Sequence, residues 1–220
     1  MGLPDRAVAP EGPVPVPELR EIAGRVAPVA LAGEQQLPLR AGLEGLVPGK
    51  GLRRGSVIGV TGSMALALAL LAGPSQAGSW VAVVGVPELG GVAAAELGVD
   101  LGRCALVPDP GPTWPTVVAA LLDAIDVVAV GTGPGGGGGG VGRVRPADAR
   151  RLAARARERG SVLVVVGAWP EGPDIRLSVP EVEWTGLEAG HGALRTRRLS
   201  VVGSGRGAAA RERRAVVELP

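Results

Sequence analysis

Residues 55–71 read GSVIGVTGSMALALALL, an apolar strand, a lone glycine at Gly62 and an apolar helix in unbroken succession. Strand, glycine turn and helix begin an α/β unit, and this is the setting in which a phosphate-binding loop, GxxxxGKS or GxxxxGKT, occurs. Such a loop surrounds the phosphates with backbone N–H groups, sets a lysine on their outer oxygens and a hydroxyl on magnesium. Here Gly62 is followed by Ser63, Met64 and Ala65, and the chain's single lysine, Lys50, precedes the strand. The turn at Gly62, Ser63 and Met64 therefore reads as a degenerate P-loop, and no cofactor is expected. A dinucleotide fingerprint fits no better, since it needs three spaced glycines and an acidic residue ending the next strand. Only Gly62 is present, and that next strand runs out in Gly85, Val86 and Pro87, with Glu88 just beyond.

Outward from this unit the rhythm repeats. Strands are expected at 56–60, 80–85, 104–107, 127–130 and 161–166, alternating with helices at 64–72, 88–97, 116–124 and 147–159. The strands are continuous apolar runs (WVAVVG, VVAV, SVLVVV), the pattern of strands covered on both faces in a parallel sheet. The fold class is α/β, a mostly parallel central sheet with helices on both faces. After Gly167 no helix intervenes between strands at 174–179, 182–187, 193–202 and 214–219, so the C-terminal extension, residues 174–220, is antiparallel and ends in a hairpin. Residues 1–36 form a flexible Pro-rich segment with a short helix at 17–26, a loop spans 27–54, and 37–220 make one domain. Six consecutive glycines, Gly135 to Gly140, read as a floppy insertion, because a phosphate cradle needs spaced glycines at a tight turn.

Composition narrows the chemistry. A chain of 220 residues buries an ordinary core, built without Phe or Tyr from aliphatic residues and four Trp. One cysteine, Cys104, permits no internal disulfide and suits a reducing cytoplasm, and one histidine, His191, with that cysteine forms no metal cluster. His191 lies between two glycines with no visible partner and is assigned no catalysis. The N-terminus lacks the basic start and apolar run of a secretory signal, and residues 57–72 are too short to span a bilayer, so a soluble protein is expected. Residues 1–142 carry 8 basic and 12 acidic side chains, net −4, whereas 143–220 carry 15 and 9, net +6. A basic half hints at an acidic partner, nucleic acid or protein.

Two basic sets stand out. The helix at 147–159 places Ala149, Leu152, Ala153 and Ala156 on one face and Arg151, Arg155 and Arg159 on the other, a solvated face in the plain reading. Arg195, Arg197 and Arg198 on a late strand, with Arg206, Arg211, Arg213 and Arg214 around the hairpin loop, form the second set and the better candidate for a partner or DNA contact. Trp80 and Trp184 read as core or edge-packing residues. Trp114 and Trp169, in Pro-flanked loops, read as partly buried or as interface anchors.

Residues 37–167 resemble the core of RecA-type recombinases, and most closely the actinobacterial ImuA-type family, the RecA-like accessory subunits of a damage-induced mutagenesis cassette. The resemblance is carried by PLRAGLEGLVPGKGLRRGSVIGVTG, AAELGVDLGRCALVPDPGP, IDVVAV and RVRPADARRLAARARERGSVLVVVG, and by the ending WTGLEAGHGALRTRRLSVVGSGRG. It implies a RecA-like core in which the ATPase stations are largely lost. The phosphate-loop lysine and hydroxyl would fall near residues 63–66. The metal-associated aspartate is replaced by Gly131, with Asp126 at the wrong end of its strand. The polar sensor position reads Gly167, Ala168, Trp169. Glu88 is the one possible survivor of the water-activating glutamate, or simply a carboxylate at a helix N-terminus.

The resemblance further implies a non-enzymatic adaptor that binds the inactive Y-family polymerase-like protein of the cassette. Through it the adaptor reaches the sliding clamp and an error-prone DnaE-type polymerase, in the cytoplasm and at the nucleoid on damage. The partner surface is expected at helix 17–26 or the basic C-terminal hairpin. Alternative readings are an ATP-dependent DNA-binding motor or switch, ATP-independent DNA binding, and a cell-division inhibitor sharing the same core.

Overall fold

In the computed structural model, which describes residues 36–133, 140–188 and 191–220, a small antiparallel pair precedes the main sheet: β1 (Gln36–Pro38) and β2 (Gly51–Arg53). The main sheet comprises β3 (Val57–Thr61), β4 (Val81–Val84), β5 (Cys104–Val107), β6 (Val127–Thr132), β7 (Val162–Gly167), β8 (Ile175–Glu188), β9 (His191–Gly205) and β10 (Arg213–Leu219). Their order is β10-β9-β8-β3-β7-β6-β4-β5. All neighbours from β8 to β5 are parallel, and β9 is antiparallel to both β8 and β10. Four helices connect the parallel strands: α1 (Met64–Gln76), α2 (Gly91–Glu96), α3 (Trp114–Ala124) and α4 (Pro146–Arg159).

The pleat divides each apolar strand between two cores. Val81, Val83, Val127, Ala129, Val162, Val164 and Val166 pack on the side of α1 and α2. Ala82, Val84, Val128, Val130, Leu163 and Val165 pack on the side of α3 and α4. A strand buried on both faces has no polar side to display, and for that reason the sequence shows runs rather than alternation. Helix α1 is buried almost all round, from Ala65 to Ser75. Helix α4 buries Ala149, Leu152, Ala153 and Ala156, the face its spacing predicts, and leaves its arginines outside.

Several boundaries differ from the sequence reading. The loop expected at 27–54 contains the β1–β2 pair. Helix α1 does not stop before Pro74 but continues to Gln76. The proline lies in its last turns, where burial outweighs one lost backbone bond. There Gly73 lies so close to the β1 exit that a Cβ would stand 2.6 Å from the Leu39 carbonyl carbon. The helix expected from residue 88 starts only at Gly91, after a turn through Pro87 and Glu88. The strands expected at 174–179 and 182–187 are one, because a register shift between Ser178 and Glu181 absorbs Val179 and Pro180. The tryptophans differ in degree from the expectation of partial burial for Trp114 and Trp169 and of core or edge packing for Trp80 and Trp184. Trp114 and Trp169 are buried against α4, whereas Trp80 and Trp184 are exposed. The helix expected at 17–26 and most of the glycine run lie outside the described residues. Among the described residues, no helix is long and apolar enough to cross a membrane.

Candidate functional site

In an open parallel sheet, ligands settle beyond the carboxyl ends of the strands. That edge is formed here by the ends of β3, β6 and β7, with β8 continuing past them. At the end of β3, Gly62 adopts φ +86°, and a Cβ there would run into the Val179 carbonyl oxygen of β8. Ser63 is extended and caps α1, its hydroxyl oxygen accepting from the Leu66 N–H at 3.1 Å. The side chain nearest the helix N-terminus thus occupies one of the donors that a phosphate would use. Met64 is half-buried and Ala65 buried, so the turn presents neither cation nor carboxylate.

The neighbouring stations are closed by backbone. At the end of β6, Gly131 lies against the turn after β4, and a Cβ would stand 2.8 Å from the Gly85 carbonyl oxygen. At the end of β7, Gly167 has φ +116°, and a Cβ would meet the Thr132 hydroxyl at 2.8 Å. The Thr132 hydroxyl itself donates to the Ala168 carbonyl at 2.9 Å. Glu88 is exposed in the turn before α2, whose N-cap is Gly90, so it does not cap that helix. Asp126 immediately precedes β6, where it pairs with Arg54 at 2.8 Å and accepts from the Trp80 N–H at 3.2 Å. Six steps of about 3.3 Å place it about 20 Å from the carboxyl end of that strand.

The second basic set is divided in space. Arg195, Arg197 and Arg198 lie on the part of β9 beyond the carboxyl edge, whereas Arg206, Arg211, Arg213 and Arg214 surround the β9–β10 connection. Eight residues separate Arg198 from Arg206, about 26 Å along a strand. Most of these guanidiniums are engaged. Arg198 pairs with Glu218 at 2.9 Å, and that hydrogen bond and charge raise its pKa above the ordinary arginine value. Arg214 pairs with Glu212 at 2.9 Å, and Arg206 donates to the Glu171 carbonyl at 2.8 Å. Arg213 donates to the Ala208 and Arg211 carbonyls, both at 3.2 Å. Arg197 donates to the Pro220 oxygen at 2.9 Å and lies 4.7 Å from the Trp184 ring centroid. The single basic surface expected from sequence is two small groups, in which Arg198 and Arg214 are paired with carboxylates while Arg197, Arg206 and Arg213 donate to backbone oxygens that leave their charge in place.

Other clusters are structural. Burial opposes ionisation of Asp123, but hydrogen bonds and charge from Arg155 and Arg159 outweigh it and hold its carboxyl below the usual value, joining α3 to α4. Burial also pushes the Cys104 thiol up, which keeps it protonated and a poor nucleophile at neutral pH. Sequence reading assigned Trp184 to core or edge packing and gave Val182 no role, because alternation places both on one face of a strand but does not show that this face is left open.

Residues 45–171 match the family model described as MT3502 N-terminal domain, a match that ends before β8 begins. A relative from Mycobacterium tuberculosis (strain ATCC 25618 / H37Rv), described as "Uncharacterized protein Rv3395c", is 39% identical over 125 residues. That alignment covers 56% of this chain and 57% of the relative, so it spans little more than half the length of each.

Proposed function

The chain belongs to the MT3502 N-terminal domain family, and we propose that it is an ImuA-type accessory adaptor, a RecA-like domain that works without nucleotide in damage-induced mutagenesis. It recruits rather than turns over substrate. Its partner in this reading is the inactive Y-family polymerase-like protein of the cassette, which joins it to the sliding clamp and an error-prone DnaE-type polymerase. The observation that carries the reading is the closure of the carboxyl edge at Gly62, Gly131 and Gly167, each set against a neighbouring backbone. Phosphoryl transfer depends on positioned cations and a neutralised phosphate, and an edge closed by backbone has no room for an aspartate at 131 or a polar sensor at 167. The mycobacterial relative fits an actinobacterial origin.

Affinity capture of the chain from DNA-damaged cells tests this. The polymerase-like protein, the clamp and the DnaE-type polymerase are the expected co-purifying proteins. Recovery of the division GTPase in their place replaces the adaptor reading with that of a division inhibitor. A motor or switch requires nucleotide, and ligand at 100 times Kd would stabilise the fold by about 2.7 kcal/mol. Direct DNA binding would appear as affinity falling steeply with salt. The pairing of Arg198 and Arg214 with glutamates speaks against it.

A further inference from the structure

Strand β8 pairs with β3 only from Ile175 to Ser178, opposite Ile58 to Thr61. It then runs on to Glu188 with β9 along one side. Ten residues at about 3.3 Å each carry this ribbon about 33 Å past the end of β3. β10 supports it as far as Leu219, which lies opposite Arg197. Along residues 181–185 every side chain of β8 is exposed, and among the described residues no strand lies along the outer edge. A strand edge of this kind carries unpaired N–H and C=O groups that a further strand can satisfy.

The two faces of that edge differ. Val182 pairs with Leu199 and Trp184 with Arg197, so Val182 and Trp184 share the face on which Leu199 is buried. They are 38% and 48% exposed, and the Arg197 guanidinium lies against the indole. Glu181 and Glu183 share the reverse face with Arg198, which is already paired with Glu218. Nucleic acid is a poor occupant. The projecting ribbon carries Glu181, Glu183, Glu188 and Glu218 against Arg195, Arg197 and Arg198, so it has no net positive charge to displace counterions.

Resting on the adaptor reading above, the geometry points to residues 181–185 of β8 as the docking edge for a protein partner, which adds an extended segment as a further strand. That segment alternates acidic or apolar residues, facing Trp184 and Arg197, with basic residues facing Glu181 and Glu183. Main-chain hydrogen bonds supply affinity, and the alternating side chains supply specificity. The indole, held flat by the guanidinium, is the anchor.

The test uses the full chain and the purified polymerase-like protein, with calorimetry and amide hydrogen exchange. Amides within 181–185 gain protection on binding. Trp184→Glu weakens binding by at least about tenfold, as loss of an anchor residue does. Trp184→Phe retains most of the affinity. Val216→Glu, at an exposed position on the reverse face, leaves it unchanged. Comparable unfolding midpoints for the variants separate docking from folding. Full affinity in Trp184→Glu without protection at 181–185 overturns the docking edge and leaves the adaptor reading standing. Failure of the wild-type chain to bind overturns both. Protection of the same amides by oligothymidylate assigns the edge to single-stranded DNA and likewise overturns the proposal.

Discussion

At residue scale the argument turns on Gly131. Sequence shows only that an aspartate is absent from the end of β6. The reason it is not accommodated is the approach of the turn after β4, where the Gly85 carbonyl stands 2.8 Å from any Cβ at that position. That approach depends on β4 and β6 being neighbours, which no local stretch of sequence specifies. Restoring the carboxylate by Gly131→Asp is therefore expected to cost about 1–3 kcal/mol of stability, by overpacking, and to confer no nucleotide binding. Urea unfolding of the variant with and without Mg-ATP measures both. Gly62→Ala places a Cβ where φ is +86° and the Val179 carbonyl closes the space, and the same assay should find it destabilised.

Asp123 offers a pH test at the same scale. Its carboxyl is held below the usual value in the folded chain, so it releases its proton more readily folded than unfolded. The stability it contributes is present above the unfolded value of about 3.9 and is lost as pH falls through the folded value. The pair is about one-third exposed, and solvent screening keeps the effect modest. Asp123→Asn should lower the urea midpoint at pH 7, and the difference from wild type should shrink towards pH 2. A difference that persists at pH 2 rules out the ionic explanation.

At the scale of elements, α4 is the most legible part of the chain. The 3.6-residue period assigns Ala149, Leu152, Ala153 and Ala156 to the core, and these are its buried residues. Leu152→Ala should cost about 2–5 kcal/mol, and Arg151→Ala on the outer face no more than about 0.5 kcal/mol, as chemical unfolding will show. Breaking signals were less reliable. Pro74 and Pro180 mark boundaries locally, yet a buried helix continues through one and a register shift takes the other within a strand. The tryptophans misled for a related reason. Pro-flanked positions suggested loops for Trp114 and Trp169, but Trp114 opens α3 and both rings fill the core beside α4.

At the scale of the whole molecule, parallel pairing was readable from the apolar runs, but the order of strands was not. Order follows from how the crossovers wrap over the sheet, and β3 enters between β7 and β8, both about a hundred residues or more further along the chain. The basic C-terminal half dispersed for a similar reason. Arginines close in sequence lie on two sides of the sheet or at opposite ends of β9; Arg198 faces glutamates of β8 and β10, and Arg214 pairs with Glu212 in the connection beside it. Any association with DNA that does occur should weaken steeply as salt rises.

The central claim is an adaptor whose binding owes nothing to nucleotide. Affinity of the full chain for the polymerase-like protein, measured with and without millimolar Mg-ATP, tests it most directly. The account predicts one complex with the same Kd in both conditions. A complex that forms only with nucleotide, or no complex in either condition, would contradict it.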